Sequence, residues 1–163
     1  MLFTIDGIRA LHGWTHDRTD QLIRHAATLS PALFVTPLEG FASATVREQL
    51  MHILSCEDNW IRRLQHIPRS PWRPEDFATA DSLSEARTRV MAVTLKYLDG
   101  LSAEQLNTPL DRVPPEWLGP PRSPGFIFHH ILTHAFHHKG QVVAMFRLLG
   151  HPAADTDLQR IEP

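Results

Sequence analysis

The sequence predicts an all-α protein: a four-helix bundle with long crossover connections. Four long segments carry apolar side chains at helical period. Capping residues, proline and glycine mark where these segments begin and end. Between them the chain has almost no strand alternation, and the two middle connectors are long enough to cross over the bundle. At 163 residues the chain is expected to form one domain, residues 1–163, with a hydrophobic core that needs no disulfide support.

The first helix is expected from about Ile5 to Leu29, with Ile5, Ile8, Leu11, Leu22, Ala26 and Leu29 on its apolar side. Ser30 and Pro31 stop it, and residues 31–42, with Pro31, Pro37 and Gly40, form a connector. The second helix is expected from about Ser43 to His66. Thr45 and Glu48 have capping-box spacing, and Val46, Leu50, Ile53, Leu54, Ile61 and Leu64 are its apolar side. Pro68 ends it, and a connector with Pro68, Pro71 and Pro74 runs to about residue 81. The third helix is expected to open at Ser82, with Glu85 completing a capping box, and to continue to about Leu101. Val90, Val93, Leu95 and Leu98 form much of its stripe, and Gly100 lies at its end. Residues 102–122 are rich in proline and carry no assigned element. The fourth helix has the clearest start, with Ser123 as N-cap and Pro124 at the first helical position. It is expected to run to Leu149 and to stop at Gly150, His151 and Pro152.

Composition narrows the functional classes. The 16 basic and 18 acidic residues give a formal net charge of −2, without the basic excess of a nucleic-acid surface. No secretory signal pattern opens the chain and no apolar run has the length of a membrane span, so a soluble cytoplasmic protein is expected, with no membrane or nucleic-acid partner. Cys56 is the only cysteine, which fits a reducing compartment. There is no glycine-rich phosphate loop and no G-x-S-x-G nucleophile elbow, so nucleotide chemistry and serine hydrolysis lack support. The unusual feature is histidine, of which there are 11.

Four of those histidines, His130, His134, His137 and His138, fall within one stretch of the fourth helix. Imidazole is the commonest protein ligand for transition metals, and residues four apart on a helix share a face. His134 and His138 can therefore turn toward one ion. They interrupt a stripe expected to face inward: Ile127, Ile131, His134, His138, Gln141, Met145 and Leu148. Buried imidazoles without partners would be costly, and a metal removes that cost. A solvated helix face is the alternative. A third ligand must come from another helix. His52, on the second, shares a face with Glu48, Cys56 and Asn59. That face reads equally as solvent-exposed or as a polar pocket inside the bundle, and periodicity does not choose between them.

The order of these residues resembles the DinB/YfiT-like superfamily across the whole chain. The resemblance rests on His52 followed by Trp60, then on His134, His138, Lys139, Gly140 and Gln141, then on the Leu149-Gly150 stop, with Trp14 as a first-helix aromatic. Lys139 departs from the arginine more usual there and is expected to affect contact with an anionic ligand more than the metal. The resemblance implies a metal triad of His52, His134 and His138 in a bundle with crossed middle connections. Three imidazoles leave a coordination position open, as in catalytic rather than structural zinc sites. Zinc and nickel both suit imidazole. An open position can take up water or a thiolate. The implied function is a metal-dependent transferase or hydrolase acting on a small molecule. The resemblance also implies a low-molecular-weight thiol as cosubstrate and pairing as a homodimer, with a non-catalytic metal-binding or stress-response protein as the alternative.

Other residues compete for a role. His12 and His16 form a second i,i+4 pair. Beside Asp17 and Arg18, His16 reads as surface, although a third ligand from another helix would make the pair a rival to His134 and His138. Cys56 reads as a small buried hydrophobe, with a sulfur near the metal as the competing reading. Glu48 either supports His52 as a hydrogen-bond acceptor or only caps its helix. Asn59 is equally open. His137 lies one residue off the face and reads as a neighbour rather than a ligand. His130 could extend the ladder of rings, with His129 beside it. Trp60, Trp72 and Trp117 are candidates for a pocket mouth, which the connectors at 68–81 and 102–122 are expected to shape.

Overall fold

The computed structural model describes residues 2–111 and 120–157. Among the described residues the regular structure is wholly helical: α1 (Ile5–Ala26), α2 (Pro31–Phe34), α3 (Val46–Leu64), α4 (Ala80–Asp99), α5 (Ala103–Asn107) and α6 (Pro124–Leu148), with one 3-10 turn at Pro74–Asp76. The four long helices are the four expected, and they form the bundle. No helix among the described residues is long and apolar enough to cross a membrane.

Cross-helix pairs set the directions. Arg9 pairs with Asp99 and Arg87 with Asp20 at 3.1 Å, so α1 and α4 run antiparallel. Trp60 packs on His130 and His52 on His138, so α3 and α6 are also antiparallel. Lys139 reaches the Thr15 carbonyl and His25 the His151 carbonyl, so α1 and α6 run in parallel. The order is therefore up, down, down, up. α1 packs on α4 and α6, and α3 packs on the same two helices from across the bundle diagonal.

The parallel pair α3 and α4 forces the connector between them to travel the length of the bundle. It does so by hydrogen-bonding back along α3: Ser70 N–H donates to Asn59 Oδ1 at 3.1 Å, and the Trp72 indole N–H to Asp58 Oδ2 at 3.0 Å. Phe77 then enters the core, where Trp72 stacks on it. Proline at positions 68, 71 and 74 keeps this segment from extending α3.

Several boundaries moved. α1 ends at Ala26 rather than Leu29, although Leu29 stays buried. The Thr45–Glu48 capping box is present, with both reciprocal bonds made. The third long helix begins earlier than Ser82: Thr79 is its N-cap, and its hydroxyl accepts the Ser82 N–H. Two short helices, α2 and α5, were not foreseen; each is a single turn or so, started by Ser30 and Ser102. Leu11 and Leu148, placed on apolar stripes by periodicity, are 38% and 66% exposed.

The core has two apolar clusters, one at each end. One gathers Leu22, Leu50, Leu54, Leu83, Met145 and Phe146; the other Ile8, Ile61, Leu98, Leu106, Phe128 and Ile131. Between them lies a buried polar layer of His12, Thr15, His16, Thr19, Glu57, Thr94 and Lys139.

The end of α3 offers a clean test of local backbone strain. His66 sits at φ 57, donates its N–H to the Arg63 carbonyl, and is followed by Ile67 N–H on the Arg62 carbonyl. This is a Schellman ending, whose left-handed position glycine occupies at α6 (Gly150, φ 78). His66→Gly is expected to raise stability by up to ~1 kcal/mol, because only glycine takes this conformation without steric cost. Urea unfolding checks it, and a loss of stability would contradict the Schellman reading.

Candidate metal centre

α3 and α6 meet along the face that carries His52, His134 and His138. The three rings converge: centroids of His52 and His134 lie 4.9 Å apart, of His52 and His138 4.5 Å, and of His134 and His138 4.2 Å. One nitrogen of each falls within 4.8 Å of the others. Zinc–nitrogen bonds of about 2.0–2.1 Å would set such donors about 3.4 Å apart in a tetrahedron. Small side-chain rotations span the difference. All three rings are half-buried at the boundary between core and solvent. The stripe of α6 that fills the core is displaced toward Phe128, Ile131, Ala135, Lys139 and Val142. His134, His138 and Gln141 therefore flank the core, at the seam with α3.

The surroundings keep these rings neutral. Burial, followed by the neighbouring His138 and His52, pushes the His134 pKa down to about 3. Burial and then His52 push His138 down to about 4, against an opposing hydrogen bond from Gln141. Burial also lowers His52. A neutral imidazole has the free lone pair that a metal needs. His138 Nδ1 is held between Gln141 Oε1 at 3.1 Å and Gln49 Nε2 at 2.5 Å, and wholly buried Gln49 also donates to that Gln141 oxygen, so the two amides fix the ring. Gln141 Nε2–H in turn donates to His137 Nε2 at 3.0 Å. His137 is thus a neighbour of the triad, on the exposed side. His130 extends the ladder, 5.6 Å from His134 between centroids, and packs edge-on against Trp60.

The depressed values carry a pH dependence. In the unfolded chain these histidines titrate near 6.5, whereas in the folded chain His138 does so at about 4 and His134 at about 3. Between those limits the unfolded state binds more protons, so stability falls as pH drops from about 6.5 toward about 4. Thermal melts of chelator-treated protein across that window are expected to show a falling midpoint. The fall should be smaller in a His134→Ala variant, and an equal fall in both would refute the assignment.

A cleft of about 160 Å³ opens beside His52, lined further along α3 by Cys56, Asn59, Trp60 and Arg63 and from the connector by Arg69. Trp60 and the connector at 68–81 thus line a pocket next to the triad, whereas no described residue of 102–122 does. Trp72 lines a different cleft of about 480 Å³, with Asp58 and Arg62, which contains no histidine. Trp117 lies outside the described residues. Cys56 is driven to about 12, first by burial and then by the Glu57 carboxylate, so its thiol stays protonated. Glu48 is committed to capping Thr45 and is not bonded to His52. Asn59 holds the connector through Ser70.

Two expectations are corrected here. His16 is not at the surface. Both His12 and His16 are buried, and Glu57 from α3 accepts from both: His12 Nε2 at 2.7 Å and His16 Nε2 at 3.0 Å. Lys139 does not face an anionic ligand either. It is 1% exposed, with its ammonium over the Phe136 ring at 3.4 Å and 3.4 Å from the Thr15 carbonyl; burial and then Arg18 lower it to about 7.

The fold and this histidine seam define the class: a helical-bundle protein with a cluster of imidazoles between two of its long helices. The sequence matches the DinB family over residues 9–163, and the chain belongs to that family. Among solved structures it is similar to the crystal structure of a conserved protein from Enterococcus faecalis, with TM-score 0.66 and 20% identity over 87% of this chain and 96% of that one. At that identity the likeness speaks for the bundle alone. No protein of curated function matches the sequence.

Proposed function

We propose that this protein is a metal-dependent transferase or hydrolase, with His52, His134 and His138 holding a zinc or nickel ion and a small molecule occupying the adjoining cleft. One observation carries the reading: three neutral imidazoles from two helices present nitrogens within 4.8 Å of one another, half open to solvent and beside a cavity. Membership of the DinB family and this donor set are compatible with a divalent ion. When bound, such an ion supplies a Lewis acid with a coordination position left over for a nucleophile or substrate.

The chain's own residues narrow what that nucleophile is. Cys56 lines the cleft, but its thiol is held protonated and is a poor nucleophile. In this proposal the attacking group comes from outside the chain, as water or a low-molecular-weight thiol. Gln141 orients His138, and Trp60 packs on His130 to wall the cleft. Arg63 stacks over Trp60 at 4.7 Å and brings positive charge to its far end. Leu11 and Trp14 leave apolar surface exposed on α1, which suits pairing into a homodimer; molar mass in solution tests that separately.

The deciding experiment is turnover by metal-loaded protein against a panel of small thiols and small electrophiles. Activity is expected to vanish on chelation, to return with zinc or nickel, and to be lost in His52→Ala. Turnover indifferent to both chelation and His52→Ala would overturn the proposal. Stoichiometric metal with no turnover of any pair would leave a metal-binding protein without catalysis.

A further inference from the structure

We infer that His12, His16 and Glu57 supply three donors to a second metal site, buried and structural, that takes a zinc-class divalent ion and ties α1 to α3 across the bundle diagonal. It stands on its own residues and is independent of the seam between α3 and α6. His12 and His16 are one turn apart on α1, with ring centroids 4.3 Å apart, and both turn Nε2 toward the single carboxylate opposite. The two nitrogens and a Glu57 oxygen all lie within 4.8 Å of one another. Two imidazoles and one carboxylate are a donor set that first-row divalent ions accept.

Three further features favour an ion over a purely hydrogen-bonded network. The first is the provision of nitrogen. Two buried rings on α1 turn Nε2 toward one carboxylate, which a single ring would be enough to pair. Apolar side chains of similar size would fill this layer at lower cost, unless the cluster binds something. The second is support. Thr94 on α4 donates its hydroxyl to Glu57 Oε1 at 2.6 Å, the kind of outer bond that orients a ligating carboxylate and brings an oxygen near the cluster. The third is position. α1 and α3 are diagonal helices, and the cluster sits in the polar layer that separates the two apolar ends of the core. An ion there would cross-link them within the polar layer, between the two apolar clusters.

The present spacing is close to what is required. Nε2 and carboxylate oxygens lie 2.7–3.2 Å apart, against about 3.4 Å around a tetrahedral zinc ion. Opening the cluster by a few tenths of an ångström admits it, with the proton of each neutral ring moving from Nε2 to Nδ1 so that Nε2 can ligate. His12, His16 and Glu57 are all buried. Substrate therefore has no approach, and the role is structural; the half-exposed histidines of α3 and α6 keep the chemistry.

The test is metal stoichiometry of full-length protein saturated with zinc and desalted, read by elemental analysis, with cobalt substitution giving a visible spectrum. The wild type is expected to hold two equivalents. His134→Ala/His138→Ala, which leaves the inner cluster intact, is expected to keep one, bound in slow exchange with a tetrahedral cobalt band. His12→Gln/His16→Gln is expected to keep one at the outer seam. One equivalent in the wild type and none in His134→Ala/His138→Ala would overturn the inner site and leave the outer one standing. One in each of those two proteins would support the inner site and remove the outer. The seam variant does not touch the buried layer, so it decides the question even if the His12/His16 variant fails to fold.

Discussion

His134→Ala is expected to strip the metal from the seam between α3 and α6, weakening binding there by more than about 100-fold. The magnitude follows from comparison, since even losing a hydrogen-bond partner behind a ligating histidine costs ~10–100-fold. His134 is itself one of three donors, and its ring lies next to both others, 4.2 Å from His138 and 4.9 Å from His52. Removing it leaves two nitrogens on different helices, which water must supplement. The fold should survive, because His134 is only half-buried at the edge of the core. Competition with a chromophoric chelator reads the change, with circular dichroism as the control for folding. Unchanged affinity and stoichiometry would rule out the His52, His134 and His138 triad. His137→Ala is the matched comparison: its ring packs edge-on against His138 and accepts from Gln141 but lies on the exposed side and is not one of the three donors, so it should cost far less.

Glu57→Ala is expected to lose about 3–5 kcal/mol of folding stability in the presence of chelator, the range for removing one member of a buried charged cluster. Glu57 is 4% exposed, and its carboxylate accepts from His12, His16 and Thr94. Burial alone would raise its pKa, but His16 and the hydrogen bonds from both histidines overcome this and hold it well below the ordinary carboxylate range. Truncation abandons three polar groups in a layer without water access and opens a cavity besides. A triple replacement of His12, His16 and Glu57 by leucine or methionine should recover much of the loss in chelator, because it leaves nothing unpaired. Urea unfolding with the slope compared across variants measures both. A Glu57→Ala cost below about 1 kcal/mol would show that the network contributes little to the metal-free fold.

The DinB bundle was legible in the sequence because its signals are local. Helical period, the Thr45–Glu48 capping box, the Ser123-Pro124 start and the Gly150 stop each act within a few residues. The histidines of α6 were legible for the same reason, since i and i+4 on one helix meet whatever else the chain does. The resemblance supplied His52; periodicity had left its face undecided. Trp117 and the rest of residues 112–119 lie outside what the structure describes.

What remained hidden was which polar residues are inside. On α1 the apolar stripe has no member between Leu11 and Leu22, and the repeat Ile8, His12, Thr15, Thr19, Leu22, Ala26 runs straight through that gap. On α3, Leu50, Leu54, Glu57, Ile61 and Leu64 show the same step with one carboxylate in the apolar series. Both gaps were signals, but one helix alone cannot say whether a polar residue in its stripe is solvated or paired. That depends on what stands opposite, and His12 and Glu57 are 45 residues apart in the chain. Gln49, one turn before His52, was missed on the same ground, because its partner Gln141 lies on α6. Sequence by itself determined the four long helices, the Thr45 and Ser123 caps and the α6 histidine ladder, since backbone hydrogen bonding and side-chain period are short-range. Only the tertiary structure decided that α3 brings His52 to that ladder on one face and Glu57 to His12 and His16 on another, because the cost of burying a charge is set by its partners across the bundle.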